Sequence, residues 1–363
     1  MSIEIRKAGL LTTVQDLGRY GYRSLGVSVS GTMDQFALRA ANILVGNETG
    51  AAGLEITLQG PEIVFHQNAL LAICGGDFHP LIDEQRVPMW RPIVVQTGQV
   101  LRLPYAREGC RAYLAIAGGV LVPSIMESFS TYMRAGIGGM EGRALLAGDI
   151  LELGDAGWGV KVMREYATYS QIGVGHNTAF VGSSDENEGS DTNRYKDVVA
   201  APWYLSESIR PTYDEHPVVR VIRGKESEHF TKKSLGSLLS NKYRVSPQSD
   251  RMGYRLQGER LELKQPLEMI TEAVAAGTLQ VPPDGQPILL MADCQTTGGY
   301  PRVAHVISVD LPLVAQVKPG GTLRFREVSM AEAQEQYLLR EMDLRLLQAG
   351  VKGRLTGLGI WRL

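Results

Sequence analysis

Two short stretches of the 363-residue chain crowd hydrogen-bonding side chains around glycine. Ser249-Asp-Arg-Met-Gly-Tyr-Arg-Leu256 sets Asp250, Arg251 and Arg255 about one glycine. Asp293-Cys-Gln-Thr-Thr-Gly-Gly-Tyr-Pro-Arg302 offers Gln295, Thr296 and Thr297 beside Gly298 and Gly299, and closes on Arg302. Guanidinium forks match planar oxygens, and glycine lets backbone N–H groups come close to a ligand. A turn with a purely structural role does not need this density of donors, so the pair reads as a binding site. Glu272 is the general-base candidate, and Glu55 is its counterpart in the first half. Both sit among apolar sequence neighbours, where desolvation raises a carboxylate pKa; either also fits a satisfied structural acid.

Three further segments carry polar groups. Thr12-Thr-Val-Gln-Asp-Leu-Gly-Arg-Tyr-Gly21 places Gln15, Asp16 and Arg19 in a turn, where an Asp–Arg pair either braces the chain or presents arginine to a carbonyl or anion. Asp34 follows at a helix start, where the helix dipole favours a carboxylate. Cys74-Gly-Gly-Asp-Phe-His79 puts Asp77 and His79 on one face of an extended chain but supplies no third ligand, so no metal site is expected. Ser128 to Arg143 combines hydroxyls, glycine turns and the arginines Arg134 and Arg143. It reads equally as an anion-binding nest or as tight β-turns with solvated arginines.

The elements that must hold these groups are mostly short strands. Glu62–Phe65, Leu70–Cys74, Ile93–Gln96, Val100–Leu103 and Tyr113–Ile116 come first. Val218–Arg223, Arg260–Leu263, Ile288–Met291, Val303–Ser308 and Thr322–Phe325 follow, all bounded by Gly or Pro turns. Two helices stand out. One has Thr32 and Gln35 as a capping box, an apolar stripe of Met33, Phe36, Ala37, Ala40 and Leu44, and Gly46-Asn47 as a stop. The other starts at Ser329 and Glu332 and ends near Gly350, with Leu338, Met342 and Leu346 as its packing face.

Residues 69–103 and 288–325 repeat one order: apolar strand, cysteine, Gly-Gly, more strands, and a Gly-x-x-Leu-Arg turn. The expected organisation is an N-terminal β-rich domain (1–155), an irregular connection (156–215), a second β domain (216–328), and a C-terminal helix with its tail (329–363). The polar run from Gly182 to Asn193 reads as a surface loop in the connection.

Lys plus Arg total 37 and Asp plus Glu 39, so the net charge is −2. Such a balance offers no footprint for nucleic acid or an anionic membrane. Met1 to Leu11 lacks the basic start and apolar core of a signal peptide, and no apolar run is long enough to span a bilayer. Three cysteines fit reduced thiols, and the chain reads as soluble and cytoplasmic. There is no Walker A loop and no G-x-S-x-G elbow. Lys161 lies in Val-Lys-Val-Met, not between two methionines, so no covalent biotin is expected on this chain. Glycine is the compositional outlier, 41 residues or about 11% against a usual ~7%.

The glycine clusters lie within stretches that resemble a known family. These are Val14-QDLGRYGYRSLGVSVSGTMD-Gln35, Ala41-NILVGN-Glu48, Leu54-EITLQGP-Glu62, Tyr113-LAIAGG-Val120, Ile137-GGMEGR-Ala144, Ser249-DRMGYRL-Gln257 and Asp293-CQTTGGYPR-Val303. Together they resemble the C component of 5-oxoprolinase, also called KipA or biotin-dependent carboxyltransferase and related to allophanate hydrolase subunit 2. The resemblance implies a mainly β fold of two related cyclophilin-like β-barrel domains, with a few short helices and a C-terminal helix. It implies two partners, the KipI-like B component of 5-oxoprolinase and its A component. The implied reaction is ATP-dependent (Mg-assisted) opening of 5-oxoproline to L-glutamate.

In that chemistry Arg251, Gln295 and Thr297 would face charge developing on a lactam oxygen, with Glu272 as base. Gln15, Asp16, Arg19, Asp34, Glu55, Thr296, Gly298, Gly299 and Arg302 would hold substrate. ATP would sit among Gly-rich turns and arginines at a site shared with a partner. One departure stands out: Glu127-Ser-Phe-Ser-Thr131 replaces an expected Gly-Ser-Arg-Ser-Thr, so Phe129 stands where a basic residue is expected. Two other functions fit the resemblance. One is antagonism of KipI, an inhibitor of a sporulation histidine kinase; the other is the carboxyltransferase part of a biotin-dependent urea or amide carboxylase.

Overall fold

The computed structural model describes residues 1–156, 200–201 and 203–357. The Gly182–Asn193 run and Lys161 lie outside the described residues. In the first half, the seven-stranded sheet includes Ser2–Lys7, Glu62–Phe65 and Val100–Arg102. The five-stranded sheet is built from Leu11–Gln15, Gly53–Thr57, Arg111–Ile116, Ala69–Gly75 and Pro92–Val95. Period-2 alternation explains why Ala69–Gly75 is apolar throughout. Leu71 and Ile73 enter the core shared with the larger sheet, whereas Leu70, Ala72 and Cys74 enter a second core beneath the helices.

The second half closes into a seven-stranded barrel whose interior includes Val219, Leu279, Leu289, Val306 and Phe325. Only this half forms a closed barrel among the described residues; the first is a pair of stacked sheets. The expected pair of barrels is therefore corrected to one barrel and one sheet pair. Most expected strands form, with Glu62–Phe65 and Val218–Arg223 at their expected bounds. Arg260–Leu263 does not: it contributes one isolated bridge, Phe230 to Leu263. The two repeated turns share a local signature, since Gly98 and Gly320 both adopt positive φ, +86° and +96°, ahead of their strands.

The first helix spans Gln35–Leu44, and its predicted stripe is buried. Its cap is Asp34, not Thr32: the Asp34 carboxylate accepts from the Ala37 N–H at 2.9 Å, while the Thr32 hydroxyl turns to Glu55. The C-terminal helix runs from Met330 to Gly357, beyond the expected stop, and Ser329 caps it through the Glu332 N–H at 3.1 Å. Its buried face is Leu344, Val351 and Leu355. The expected packing face of Leu338, Met342 and Leu346 is instead exposed, because Glu341–Arg39 and Arg340 over Phe36 set the opposite rotation. Among the described residues no helix is long and apolar enough to cross a membrane.

Candidate functional site

The two halves meet on a buried polar network centred on Arg251. This guanidinium donates two bonds to Asp293, at 2.9 and 3.0 Å, one to Glu55 and one to the Gly31 carbonyl. Four of the five N–H groups of an arginine are thereby used. Glu55 lies on the Gly53–Thr57 strand and is 2% exposed. Besides Arg251 it has Arg111 Nε at 3.8 Å, the Met33 N–H at 2.7 Å and the Tyr113 hydroxyl at 3.0 Å.

Burial pushes the Glu55 carboxyl up, but the guanidiniums of Arg251 and Arg111 overcome that and hold it below its ordinary value. Burial likewise opposes the Arg251 charge, yet Asp293 and Glu55 raise that group above the ordinary arginine value. The network continues through Gln316, which accepts from the Cys110 and Arg111 N–H groups and donates to Asp34 at 3.0 Å. Asp34 also accepts from the Tyr213 hydroxyl at 2.7 Å. Burial leaves the Asp34 carboxyl above its ordinary value despite those bonds.

The first polar segment packs beside this junction. Both Asp16 oxygens are engaged, by the Gly18 and Phe129 N–H groups at 2.7 Å and by the Ser128 and Ser130 hydroxyls. Phe129 itself packs on the core, so the departure at this position faces protein, not an open site. Gln15 donates to Thr131 O at 3.1 Å. Arg19 is fully buried and donates to Ser130 O, while its Nε and Nη1 find no partner among the described residues. Ser30 links this segment to the junction through Asp293 at 2.7 Å, and Ser28 donates to Cys294 O at 2.8 Å.

Beyond Asp293 and Cys294 the chain emerges into solvent. Gln295 and Thr296 are half-buried, Thr297 and Gly299 exposed, and the side chains of Gln295, Thr296 and Thr297 make no hydrogen bond among the described residues. Thr297–Gly298 pairs with Glu272–Ala273 as a two-stranded ribbon. At its base Arg302 binds Glu226 and Glu272, and Lys225 binds Glu272 at 2.7 and 2.8 Å.

Several expectations are corrected by these positions. Glu272 is not in apolar surroundings: hydrogen bonds from Lys225 and Arg302 hold its exposed carboxyl below the ordinary value, the wrong direction for a neutral-pH base. Glu55 is desolvated as expected, but its shift is downward and its oxygens are committed. Asp16, Asp34 and Arg302 are likewise engaged by protein groups. The structure joins Arg251, Glu55 and Asp34 in one network and Gln15, Asp16 and Arg19 in a neighbouring one. Glu272, Thr297, Gly298 and Arg302 meet in the ribbon; Gln295, Thr296 and Gly299 complete its loop.

Sequence reasoning missed Arg111, Tyr113, Gln316 and Ser30. Arg111 had a signal: it is a charge at the head of the apolar run Arg111–Ile116, and buried charges demand partners. Gln316 had none, being one polar residue after a short helix.

The Gly-rich stretch does not fit a phosphate. A Cβ at Gly138 would lie 2.0 Å from Ser130 O, and one at Gly142 2.0 Å from the Gly136 carbonyl carbon. These glycines therefore pack protein on protein. Arg134 pairs with Asp250 at 3.4 Å and Arg143 with Asp149 at 2.7 Å. No group of three or more metal-binding side chains occurs among the described residues.

Residues 25–327 match the model of the carboxyltransferase domain, subdomain A and B. The C component of the Haemophilus influenzae 5-oxoprolinase is 38% identical over 331 residues, covering 91% of this chain and 93% of that protein. The Escherichia coli protein of the same name is 35% identical over 332 residues, with the same coverage. The crystal structure of K. lactis urea amidolyase superposes with a TM-score of 0.80 at 27% identity, over 95% of this chain and 20% of that one. The chain thus belongs to the carboxyltransferase-domain family, and within it to the group formed by the C components of 5-oxoprolinases.

Proposed function

We propose that the chain is the C component of a 5-oxoprolinase and acts with a KipI-like B component and an A component to open 5-oxoproline to L-glutamate. The observation that carries this is the pair of relatives of that name, 38% and 35% identical over more than nine-tenths of both lengths. The geometry suits such a role: a buried junction carries a solvent-facing loop whose Gln295, Thr296 and Thr297 side chains make no hydrogen bond among the described residues. Gln295, Thr297 and the Gly299 N–H would face the lactam oxygen as charge develops on it, with Thr296 beside them and Gly298 held in the ribbon. Arg251 would act chiefly by fixing Asp293 and hence the root of that loop.

Nucleotide and magnesium binding we assign to the rest of the assembly, since the Gly-rich stretch of this chain does not suit phosphate. The two β-rich halves (1–155 and 216–328) are read as divergent copies of one cyclophilin-like unit, joined by 156–215 and followed by the helical 329–363. The test is co-expression with the A and B components, followed by assay of ATP hydrolysis that depends on 5-oxoproline. An intact three-component complex without such hydrolysis would sink the reading.

The likeness to urea amidolyase favours a second reading, carboxyl transfer from biotin carried by another chain. Dependence of turnover on bicarbonate and on a biotinylated partner separates the two.

A further inference from the structure

The geometry points to Arg23 as the positively charged group of the Gln295–Gly299 site, donating N–H bonds to the oxygen on which charge develops. This deepens the proposed function and rests on it. Arg23 opens the short helical turn Arg23–Leu25, which lies between Gly21 and Gly26, at φ +94° and +80°. A Cβ at either glycine would meet no atom within 4 Å beyond its chain neighbours, so the turn stands out from the first half. It reaches the second half at two points. Arg23 Nη2 donates to the Val274 carbonyl, and the Val274 N–H donates to Thr296 O at 3.0 Å. Ser28, just past the turn, donates to the carbonyl of Cys294, the residue before Gln295.

Three observations set Arg23 apart from the other cations around this loop. Arg302 and Lys225 are bound by Glu272, and Arg251 by Glu55 and Asp293, whereas Arg23 has no carboxylate oxygen within 4.0 Å among the described residues. The acids closest in sequence to its contacts are committed elsewhere, Asp293 to Arg251 and Ser30, and Glu272 to Lys225 and Arg302. The Val274 carbonyl occupies one N–H of the half-buried guanidinium, and Nε and Nη1 make no hydrogen bond among the described residues. The charge also reaches the root of the loop. Burial pushes the Cys294 thiol up to about 11, and the Arg23 guanidinium is the largest pull against that rise. Gln295, Thr297 and the Gly299 N–H are neutral donors, and a hydrogen bond from an ionised donor is roughly twice as strong. No bond to Arg23 is made or broken in this role.

The experiment measures glutamate release by the three-component assembly carrying Arg23→Gln, Arg23→Lys or Arg23→Ala. Glutamine keeps a neutral donor for the Val274 carbonyl and loses the charge; lysine keeps the charge. Arg23→Gln should lower kcat about a hundred-fold, the usual loss for one such donor, with KM changed far less. Arg23→Lys should retain clearly more of the rate. Millimolar guanidinium should raise the turnover of Arg23→Ala, and sodium chloride at the same concentration should not. A thermal melt and recovery of the intact complex check each variant. Where Arg23→Gln fails that check, the guanidinium comparison on Arg23→Ala carries the test.

A turn that only ties the two halves together predicts otherwise: Arg23→Gln and Arg23→Lys behave alike, and guanidinium restores nothing. Turnover of Arg23→Gln equal to wild type, or equal effects of guanidinium and sodium chloride on Arg23→Ala, overturns the proposal and leaves the proposed function standing. A wild-type assembly without turnover sinks both.

Discussion

Two arginines in this molecule each hold a pair of carboxylates, one with both partners buried and the other with one partner open to solvent. Arg251 grips Glu55 and Asp293 where the halves meet, with all three side chains under 10% exposed. Arg302 grips Glu226 and Glu272 at the base of a ribbon, where Glu272 is 39% exposed and shared with Lys225. Both stand within a few residues of a glycine, and nothing in their residue types separates them. Burial does. In the junction each charge has lost its water and depends on its partners, so removing one leaves the others stranded. In the ribbon, Arg302 and Glu226 are also little exposed, at 13% and 7%, but Glu272 is open to water and keeps Lys225.

The largest expected effect is therefore Arg251→Ala, which should cost about 3–5 kcal/mol by chemical denaturation, because Glu55 and Asp293 would remain buried without their counter-ion. Arg302→Ala should cost clearly less; equal losses would break the comparison. Glu55→Gln comes next and also sharpens it through pH. A carboxylate held below its ordinary value in the folded state stabilises above that value, and the stability is lost as pH falls through the depressed one. Wild type should lose stability on acidification below about pH 4, and Glu55→Gln should show a flatter acid limb. Asp34, whose folded value is raised, works in the opposite direction: stability falls as pH rises through its window. Asp34→Asn should weaken that fall.

Ser30→Ala removes one hydrogen bond to the buried Asp293 and should cost about 1.5–3 kcal/mol. Smallest of all, Glu272→Gln should leave the denaturation midpoint where it is. A shift as large as that of Ser30→Ala would mean that the ribbon is as tightly coupled as the junction.

Much of this molecule was legible before folding. Apolar runs cut by glycine and proline gave most strands, since a strand buried on both faces announces itself as an unbroken run. The order shared by 69–103 and 288–325 led to the expectation of two β-rich halves. It could not reveal that, among the described residues, only the second closes into a barrel, which depends on long-range pairing such as Val218–Val221 with Arg324–Glu327. The helix at 330–357 was visible, but its rotation was not: Leu338, Met342 and Leu346 had the spacing of a buried face, and tertiary ion pairs turned them outward.

At the site, the polar loops were legible by residue type. What eluded the sequence was commitment. Asp16, Asp34 and Glu55 look like free acids until their partners, tens to hundreds of residues away, arrive. Apolar neighbours in sequence suggested a raised pKa for Glu272, whereas its spatial neighbours are Lys225 and Arg302. The side chains of Gln295, Thr296 and Thr297 are the converse: polar in sequence and without a hydrogen bond among the described residues.

The most direct measurement is glutamate released from 5-oxoproline by this chain assembled with the A and B components. The account predicts turnover that requires all three proteins, survives Glu272→Gln, and falls at least ten-fold when Gln295 and Thr297 are both replaced by alanine. An intact assembly that releases no more glutamate than the two partners without this chain would contradict it.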